Sequence, residues 1–344
     1  MYNIFNFAAL QLKTNKKISM KKVSIGVDIG GTNTAIGVVD EAGNVLVKDN
    51  IKTPAHGDFD RYISDLAFAI NEVIKSVKLL NENLEVIGIG IGAPNGNYYS
   101  GTIEYAPNLS FKGVLNLVKL LRYHFPEMRA IVLTNDANAA AIGEMIYGGA
   151  KGMKNFVLFT LGTGVGSGIV VNGDLVYGSD GFAGEIGHTT LIPGGRPCGC
   201  SALGHLEAYC SASGMKRTAF ELLVHYNAND SLLADKSYKE LGSKMIYEAA
   251  EQGDKVALEV FEKTGAWLGM GLANTVHYLS PEAIFLFGGP TAAGDYIFKP
   301  AKEAMEKHLL PFFQNKIKIL PSKLKPGDAA IVGASALVWK EIEK

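Results

Sequence analysis

Asp28–Val39 reads DIGGTNTAIGVV, and Thr160–Val171 reads TLGTGVGSGIVV. Each is the end of an apolar run, a loop of glycine with threonine, and a second apolar run closing on Val-Val. The second copy begins 132 residues after the first. An apolar run that breaks at glycine and then resumes predicts a β-hairpin. One such hairpin is commonplace and reads equally well as a tight turn. Two of them, each heading an α/β stretch, predict a duplicated domain that clasps phosphate from both sides.

Outward from the first hairpin, Lys22–Ile29 predicts the entering strand and Thr34–Val39 the leaving one. A Glu41–Asn44 turn leads to a third strand over Val45–Lys52, which makes a meander. Asp58–Leu80 has helical spacing, with Tyr62, Leu66, Phe68–Ile70, Val73 and Val77 on one face. Glu85–Ala93 reads as a buried strand stopped by Pro94, and Val114–Phe125 as a helix. Ala130–Thr134 is a short strand running into Asn135-Asp136, and Ala137–Tyr147 is an alanine-rich helix. The pattern then restarts at the second hairpin, between strands Asn155–Leu161 and Ser167–Val171. Helices over Gly214–Val224, Tyr238–Glu251 and Lys255–Leu279 precede a strand at Ala283–Phe287, and Ala329–Glu343 closes the chain as a helix. Residues 1–20 read as a flexible extension, 21–134 as a smaller N-terminal α/β domain, and 135–328 as a larger one.

Composition agrees. Glycine supplies 40 of 344 residues, against roughly 24 at average usage, and no Gly-X-Y period is present. Eighteen of them fall between Gly143 and Gly214, as expected of loops wrapped around a ligand. A balance of 33 basic against 34 acidic side chains predicts no nucleic-acid partner. No apolar stretch approaches the ~18 residues of a membrane span. The first residues place their apolar part before their lysines, the reverse of a secretory signal. Three cysteines make no disulfide framework, so the expected compartment is the cytoplasm.

Four groups of residues have chemistry of their own. Gly30, Gly31, Thr32 and Asn33, with Gly162, Thr163 and Gly164, supply backbone N–H groups and hydroxyls for phosphate. They are neither the dinucleotide fingerprint nor a Walker loop, since no helix follows and the lysine is missing. Asp28, beside the first loop, is placed to hold Mg²⁺ through water, or is an ordinary strand-end residue. Asp136 reads equally as the cap of a helix beginning at Ala137. His188, Cys198, Cys200 and His205 have the donor types of tetrahedral Zn²⁺; otherwise they are two reduced thiols and two unrelated histidines. Cys210 reads as a small apolar residue. His56, His124, His225, His277 and His308 lie in no motif and read as surface or packing residues.

Taken in order, DIGGTNTAIGVVD, LGTGVGSGIVVNG, AGEIGH and a Cys-x-Cys followed by Leu206-Glu207 resemble the ROK family of sugar kinases and regulators, from about Lys22 to the C-terminus. The resemblance implies two RNase-H-like α/β domains of the actin-like ATPase superfamily around a central ligand cleft, with helix 329–344 returning to the first domain. It implies ATP-dependent phosphorylation of a hexose, usually at the 6-hydroxyl, and a homodimer or homotetramer. Glucose is the default sugar; N-acetylglucosamine, N-acetylmannosamine, mannose, fructose and allose are the alternatives. Asp136 matches the catalytic base and Asp28 the aspartate near the metal-nucleotide. Gly288 and Gly289 match the adenosine-side loop, with Pro290 where a third glycine is commoner. The sugar-contacting set maps to Gly92, Asn108, Asn135, Asp136, Glu185, His188 and Glu207. The structural zinc of the family maps to His188, Cys198, Cys200 and His205. Here the chain departs from the usual pattern: Ser201 stands where glycine is usual, and His205 where a third cysteine is usual. The other function within the family is a non-catalytic, sugar-sensing regulator. Regulators carry a DNA-binding winged helix ahead of the kinase-like body, and the stretch before the first strand here has no helix-turn-helix pattern.

Overall fold

The protein is described from a computed structural model that covers residues 20–55, 57–226 and 230–344. Apart from Met20, the expected N-terminal extension lies outside the described residues, as does His56. The first half runs β1 (Lys21–Ile29), β2 (Asn33–Asp40), β3 (Val45–Lys52), α1 (Phe59–Leu80), β4 (Leu84–Gly92), β5 (Gly96–Asn97), β6 (Thr102–Glu104), β7 (Val114–Leu115), α2 (Leu117–His124) and β8 (Ala130–Thr134). It continues through α3 (Asp136–Ile146) into β9 (Phe156–Leu161), β10 (Val165–Val171) and β11 (Asp174–Leu175). Then come α4 (Glu207–Cys210), α5 (Ala212–Leu223), α6 (Ser243–Glu251), α7 (Lys255–Leu279), β12 (Ala283–Phe287), α8 (Asp295–His308), β13 (Lys318–Pro321) and α9 (Ala329–Ile342).

The duplication predicted from the two hairpins is visible in the sheets. One has the order β3-β2-β1-β4-β8 and the other β11-β10-β9-β12-β13. In each, an antiparallel meander supplies three strands and two parallel strands follow beside the first. Each sheet with its helices forms a lobe. The alternating glycine and isoleucine of IGIGIG in β4 suits a central strand covered closely on one face. There α9 lies across β1 and β4, where a Cβ at Gly26 or Gly90 would collide with the backbone of Ile331 or Ala334. Helix α3 packs on β10 in the other lobe and against α9, with a Cβ at Gly143 only 2.7 Å from the Gly333 backbone. The two helices therefore form the inner layer joining the sheets. Gly333 is a packing residue, as its setting in Val-Gly-Ala-Ser-Ala suggests.

Three expectations need correction. The helix read over Tyr238–Glu251 starts only at Ser243, with a turn at 238–240 and Gly242, a poor helix former, at the N-cap. Val114–Phe125 is not one helix: Val114 and Leu115 pair with Glu104 and Ile103, and Asn116 separates them from α2. A β-branched residue beside an open strand edge went to the sheet, against the helical spacing. The helix that carries the candidate base is also capped differently from the reading that makes Asp136 the cap. Asn135 is the N-cap of α3, its Oδ1 accepting from Asn138 N at 2.7 Å, and Asp136 is the first helical residue. That releases the Asp136 side chain from most of the capping duty.

Candidate active site

The ends of three parallel strands build the floor of the cleft. Asp28, next to last in β1, pairs with Gly92 at the end of β4, and Gly92 pairs with Thr134 at the end of β8. The start of α3 lies beside Gly92, where a Cβ would make ordinary contacts, 3.6 Å from Asp136 Cα and 3.9 Å from Asp28 Oδ1. The strand register thus brings together Asp28, Gly92, Asn135 and Asp136, residues up to 108 positions apart in the chain.

The electrostatics follow from that convergence. Asp28 is half-buried, and its carboxyl is pushed up to about 6, first by burial and then by the like charge of Asp136. Water reaches Asp136 through the cleft mouth, yet protein packed around it displaces bulk solvent, and this loss of solvent raises its carboxyl. Hydrogen bonds from its own backbone and from Ala137 N, at 2.8 Å, partly oppose the rise. Glu185 is raised by burial, opposed by His188, and raised further by Asp136 and Glu207. Three carboxylates from separate segments therefore face one space.

The hairpins flank this floor. Gly30–Asn33 connects β1 to β2, and its position is set from the side: Gly31 abuts the Asn108 carbonyl, while Thr53 N donates to Thr32 O at 3.0 Å. Asn108 itself is exposed. Asn33 spends its side-chain oxygen on Lys52 Nζ at 2.8 Å and its carbonyl on Gly30 N at 3.0 Å, which closes the hairpin. In the other lobe, Gly162 and Thr163 are exposed, with open space around Gly162. Gly288, at φ +115°, presses its backbone against Leu161, so the Gly288-Gly289 loop stands beside the second hairpin. Ala212 N donates to Gly162 O at 2.8 Å, and Ser243 Oγ lies close to Gly289. These two neighbours were not legible in the sequence, since neither carries a motif.

The Gly184–His188 segment is held down on β10. Ser167 Oγ donates to Gly184 O and accepts from Ile186 N, and Gly187 has no room for a side chain over Val165. Glu207, at the start of α4, reaches Val165 N with Oε2 at 3.0 Å and the Cys198 thiol with Oε1 at 3.3 Å. It links the second hairpin to the cysteine loop.

His188, Cys198, Cys200 and His205 converge as their donor types suggest, with one donor atom from each within 4.8 Å of all the others. Cys198 Sγ is 3.7 Å from His188 Nδ1, and Cys200 Sγ 3.3 Å from His205 Nδ1. A tetrahedral zinc with bonds of about 2.0–2.3 Å needs donor separations of this size. The four residues fit the metal. His188 Nε2 points the other way, 3.9 Å from Glu185 Oε2. Ser201 adopts φ +74°, which explains why glycine is usual there and marks a strained turn in this chain. Cys210 is fully buried with its thiol directed at Thr264 O.

The pattern that defines the ROK family matches residues 24–341, and the chain belongs to that family. It is 35% identical over 319 residues to a glucokinase of Halalkalibacterium halodurans, covering 92% of this chain and 95% of that one. A glucokinase of Thermotoga maritima is 31% identical over 319 residues, covering 92% and 98%. Among solved structures, a ROK family glucokinase from Streptomyces griseus in complex with glucose and AMPPNP is similar at a TM-score of 0.76 and 32% identity, covering 92% of this chain and 99% of that one. The fold is accordingly that of the actin-like ATPases, two RNase-H-like α/β units around a cleft. Among the described residues no helix is long and apolar enough to cross a membrane.

Proposed function

We propose that the protein is an ATP-dependent hexose kinase that phosphorylates glucose at the 6-hydroxyl. The observation that carries this reading is the meeting of Asp28, Gly92 and Asp136 at adjacent strand ends, between two glycine hairpins. Asn108, Asn135, Glu185, His188 and Glu207 supply hydrogen-bond partners for the sugar hydroxyls, and Gly92 lets the sugar approach the backbone. Asp136 accepts the 6-hydroxyl proton as that oxygen bonds to the γ-phosphorus and the bond to ADP breaks. A raised carboxyl is a better base for this task than an ordinary one. Gly30 N and Gly162 N close their own hairpins, onto Asn33 O at 3.0 Å and Gly164 O at 2.9 Å; the N–H groups of Gly31, Thr32, Thr163 and Gly164 stabilise charge on the transferring group, and Gly288-Gly289 seat the adenosine. Magnesium fits the oxygen donors beside the first hairpin; Asp28 would hold it, through water, and it would supply positive charge to the phosphates. Closure of the lobes excludes water and so suppresses ATP hydrolysis. Assembly into two or four copies and a cytoplasmic location accompany this reading, the former checked by light scattering of purified protein.

An ATP-coupled assay run competitively over a hexose panel tests the proposal, with glucose expected to give the highest kcat/KM. Saturable sugar binding without turnover of any sugar would place the chain among the regulators instead.

Zinc in the proposed site would be structural. His188, Cys198, Cys200 and His205 would hold it, and it would supply a rigid crosslink under Glu207 and His188. Purified active protein should contain close to one equivalent of zinc, and His205→Ala should lower both zinc content and glucose affinity. Active enzyme with less than about half an equivalent would reject the structural role.

A further inference from the structure

One buried side chain of the first lobe reaches the segment that follows β11 in the second. Asn97, on β5, is 5% exposed. Its Oδ1 accepts from Tyr99 N at 3.0 Å and Ser100 N at 3.3 Å. Its Nδ2 donates to Glu104 Oε1 at 3.2 Å and, across to the second lobe, to the Asp180 carbonyl at 2.8 Å. A primary amide has two donors and two acceptor positions, so every one is used. Glu104 Oε1 is itself fixed by Thr102 Oγ1 at 2.7 Å and Ser100 Oγ at 3.2 Å. The facing residue is Gly181, at φ +93°, and a Cβ there would run into the Asn97 carboxamide. Tyr99 OH adds a bond to Gly178 O at 2.9 Å, and the rings of Tyr98 and Tyr177 stack 4.1 Å apart at 9°.

The placement of this contact gives it a consequence. Tyr177–Gly181 leads into Glu185 and His188, and Ala183 N closes that segment on Tyr177 O at 3.0 Å. On the first-lobe side, β5 follows Gly92, and β6 leads on to Asn108. A single amide thus joins β5, which follows Gly92, and β6, which precedes the Asn108 loop, to the segment that leads into Glu185 and His188. We infer that Asn97 is a positioning residue for the sugar: by holding the Asp180 carbonyl it sets where Glu185 and His188 stand relative to Asn108 and Asp136. This inference rests on the sugar-kinase reading above. Asn97 lies beyond the four motifs and touches no proposed ligand, so its effect passes entirely through the loop.

The test uses two variants of the full chain, Asn97→Asp and Asn97→Asp combined with Glu104→Gln. The single change removes the donor to Asp180 O and sets two carboxylates against each other. Its KM for glucose should rise about ten- to hundredfold, the size of effect expected when a buried acceptor loses its partner. KM for ATP at saturating glucose should stay at the wild-type value, while Tm falls. In the double variant the like charge is gone, so Tm should recover in part while the glucose KM stays raised, because Asp180 O still lacks a donor. Recovery of the glucose KM together with Tm would overturn the inference, as would a wild-type glucose KM in the single variant or an equal rise for ATP. Calorimetric glucose affinity should shift in the same way as KM and needs no turnover. A wild-type chain that phosphorylates no hexose would sink the kinase reading by itself, and the calorimetric shift would still decide the role of Asn97.

Discussion

The hairpins Gly30–Asn33 and Gly162–Gly164 occupy equivalent corners of sheets with the same strand order, but their surroundings differ. Two residues before the glycines, the first strand carries Asp28 and the second Thr160. Each hairpin has one glycine with no room for a side chain, Gly31 against the Asn108 carbonyl and Gly164 against the Glu207 carboxylate, but nothing lies within 4 Å of a Cβ at Gly162. The first is tied to the Asn108 loop. The second is tied through Val165 N and Glu207 to the cysteine loop. The two lobes share a glycine hairpin, proposed above as a phosphate clasp in each. Only the first follows a strand-end aspartate, and only the second is joined to the cysteine loop.

The largest effect expected from breaking this asymmetry is at Asp136, beside the first sheet. Asp136→Asn should lower kcat by about 10²–10⁴-fold, the usual contribution of a general base, with glucose affinity retained. In the wild-type enzyme the base must be ionised. Its carboxyl is raised by burial, so activity should be lost on acidification at a higher pH than an ordinary carboxylate would give. Retained turnover in the variant would remove Asp136 as the base.

The next effect is on stability and falls on Asp28. Its carboxyl binds protons more tightly in the folded chain, at about 6, than in the unfolded chain, at 3.8. The folded state therefore holds more protons between those values, and stability falls as pH rises through them. Above pH 6 the cost has reached its limit, roughly 3 kcal/mol by linkage. Asp28→Asn should thus stabilise the ligand-free protein at pH 7.5 and leave it nearly unchanged at pH 4. Denaturant midpoints at the two pH values read this out, and equal shifts at both would contradict it. The same variant should lose activity, because the carboxylate that costs stability is the one placed for the metal-nucleotide.

Much of this was legible in the sequence for a physical reason. Strand ends, glycine loops and paired metal donors impose composition at fixed spacing, so Asp28, the two hairpins and the His188–His205 cluster can be read from order alone. The chain's own repeat gave the duplication and its first stretch the antiparallel meander, but not the places of the parallel strands. What could not be read is set by partners distant in sequence. Glu207 has no local signal for its bond to Val165 N, and Ser167 looks like any serine in a strand until Gly184 is laid over it. Asn97 reads as a loop asparagine until Asp180, 83 residues on, meets its amide. Helix α8 was hidden by Pro300 inside it, and Val114-Leu115 by a strand edge that forms only in the fold.

The smallest effects separate the two hairpins directly. Gly31→Ala puts a methyl group 2.5 Å from the Asn108 carbonyl, so the first hairpin or the Asn108 loop must shift. Overpacking of this kind costs about 1–3 kcal/mol and should lower Tm, with KM raised for both ATP and glucose because one shift moves both contacts. Gly162→Ala meets open space, so Tm should change by less than the equivalent of about 0.5 kcal/mol. That space is the one assigned to the phosphates, and the added methyl group should raise KM for ATP severalfold while leaving the glucose KM at its wild-type value. Thermal melts paired with initial rates on the two variants distinguish the outcomes. If Gly162→Ala leaves the ATP KM unchanged, the second hairpin does not approach the nucleotide, and the phosphate clasp belongs to the first lobe alone.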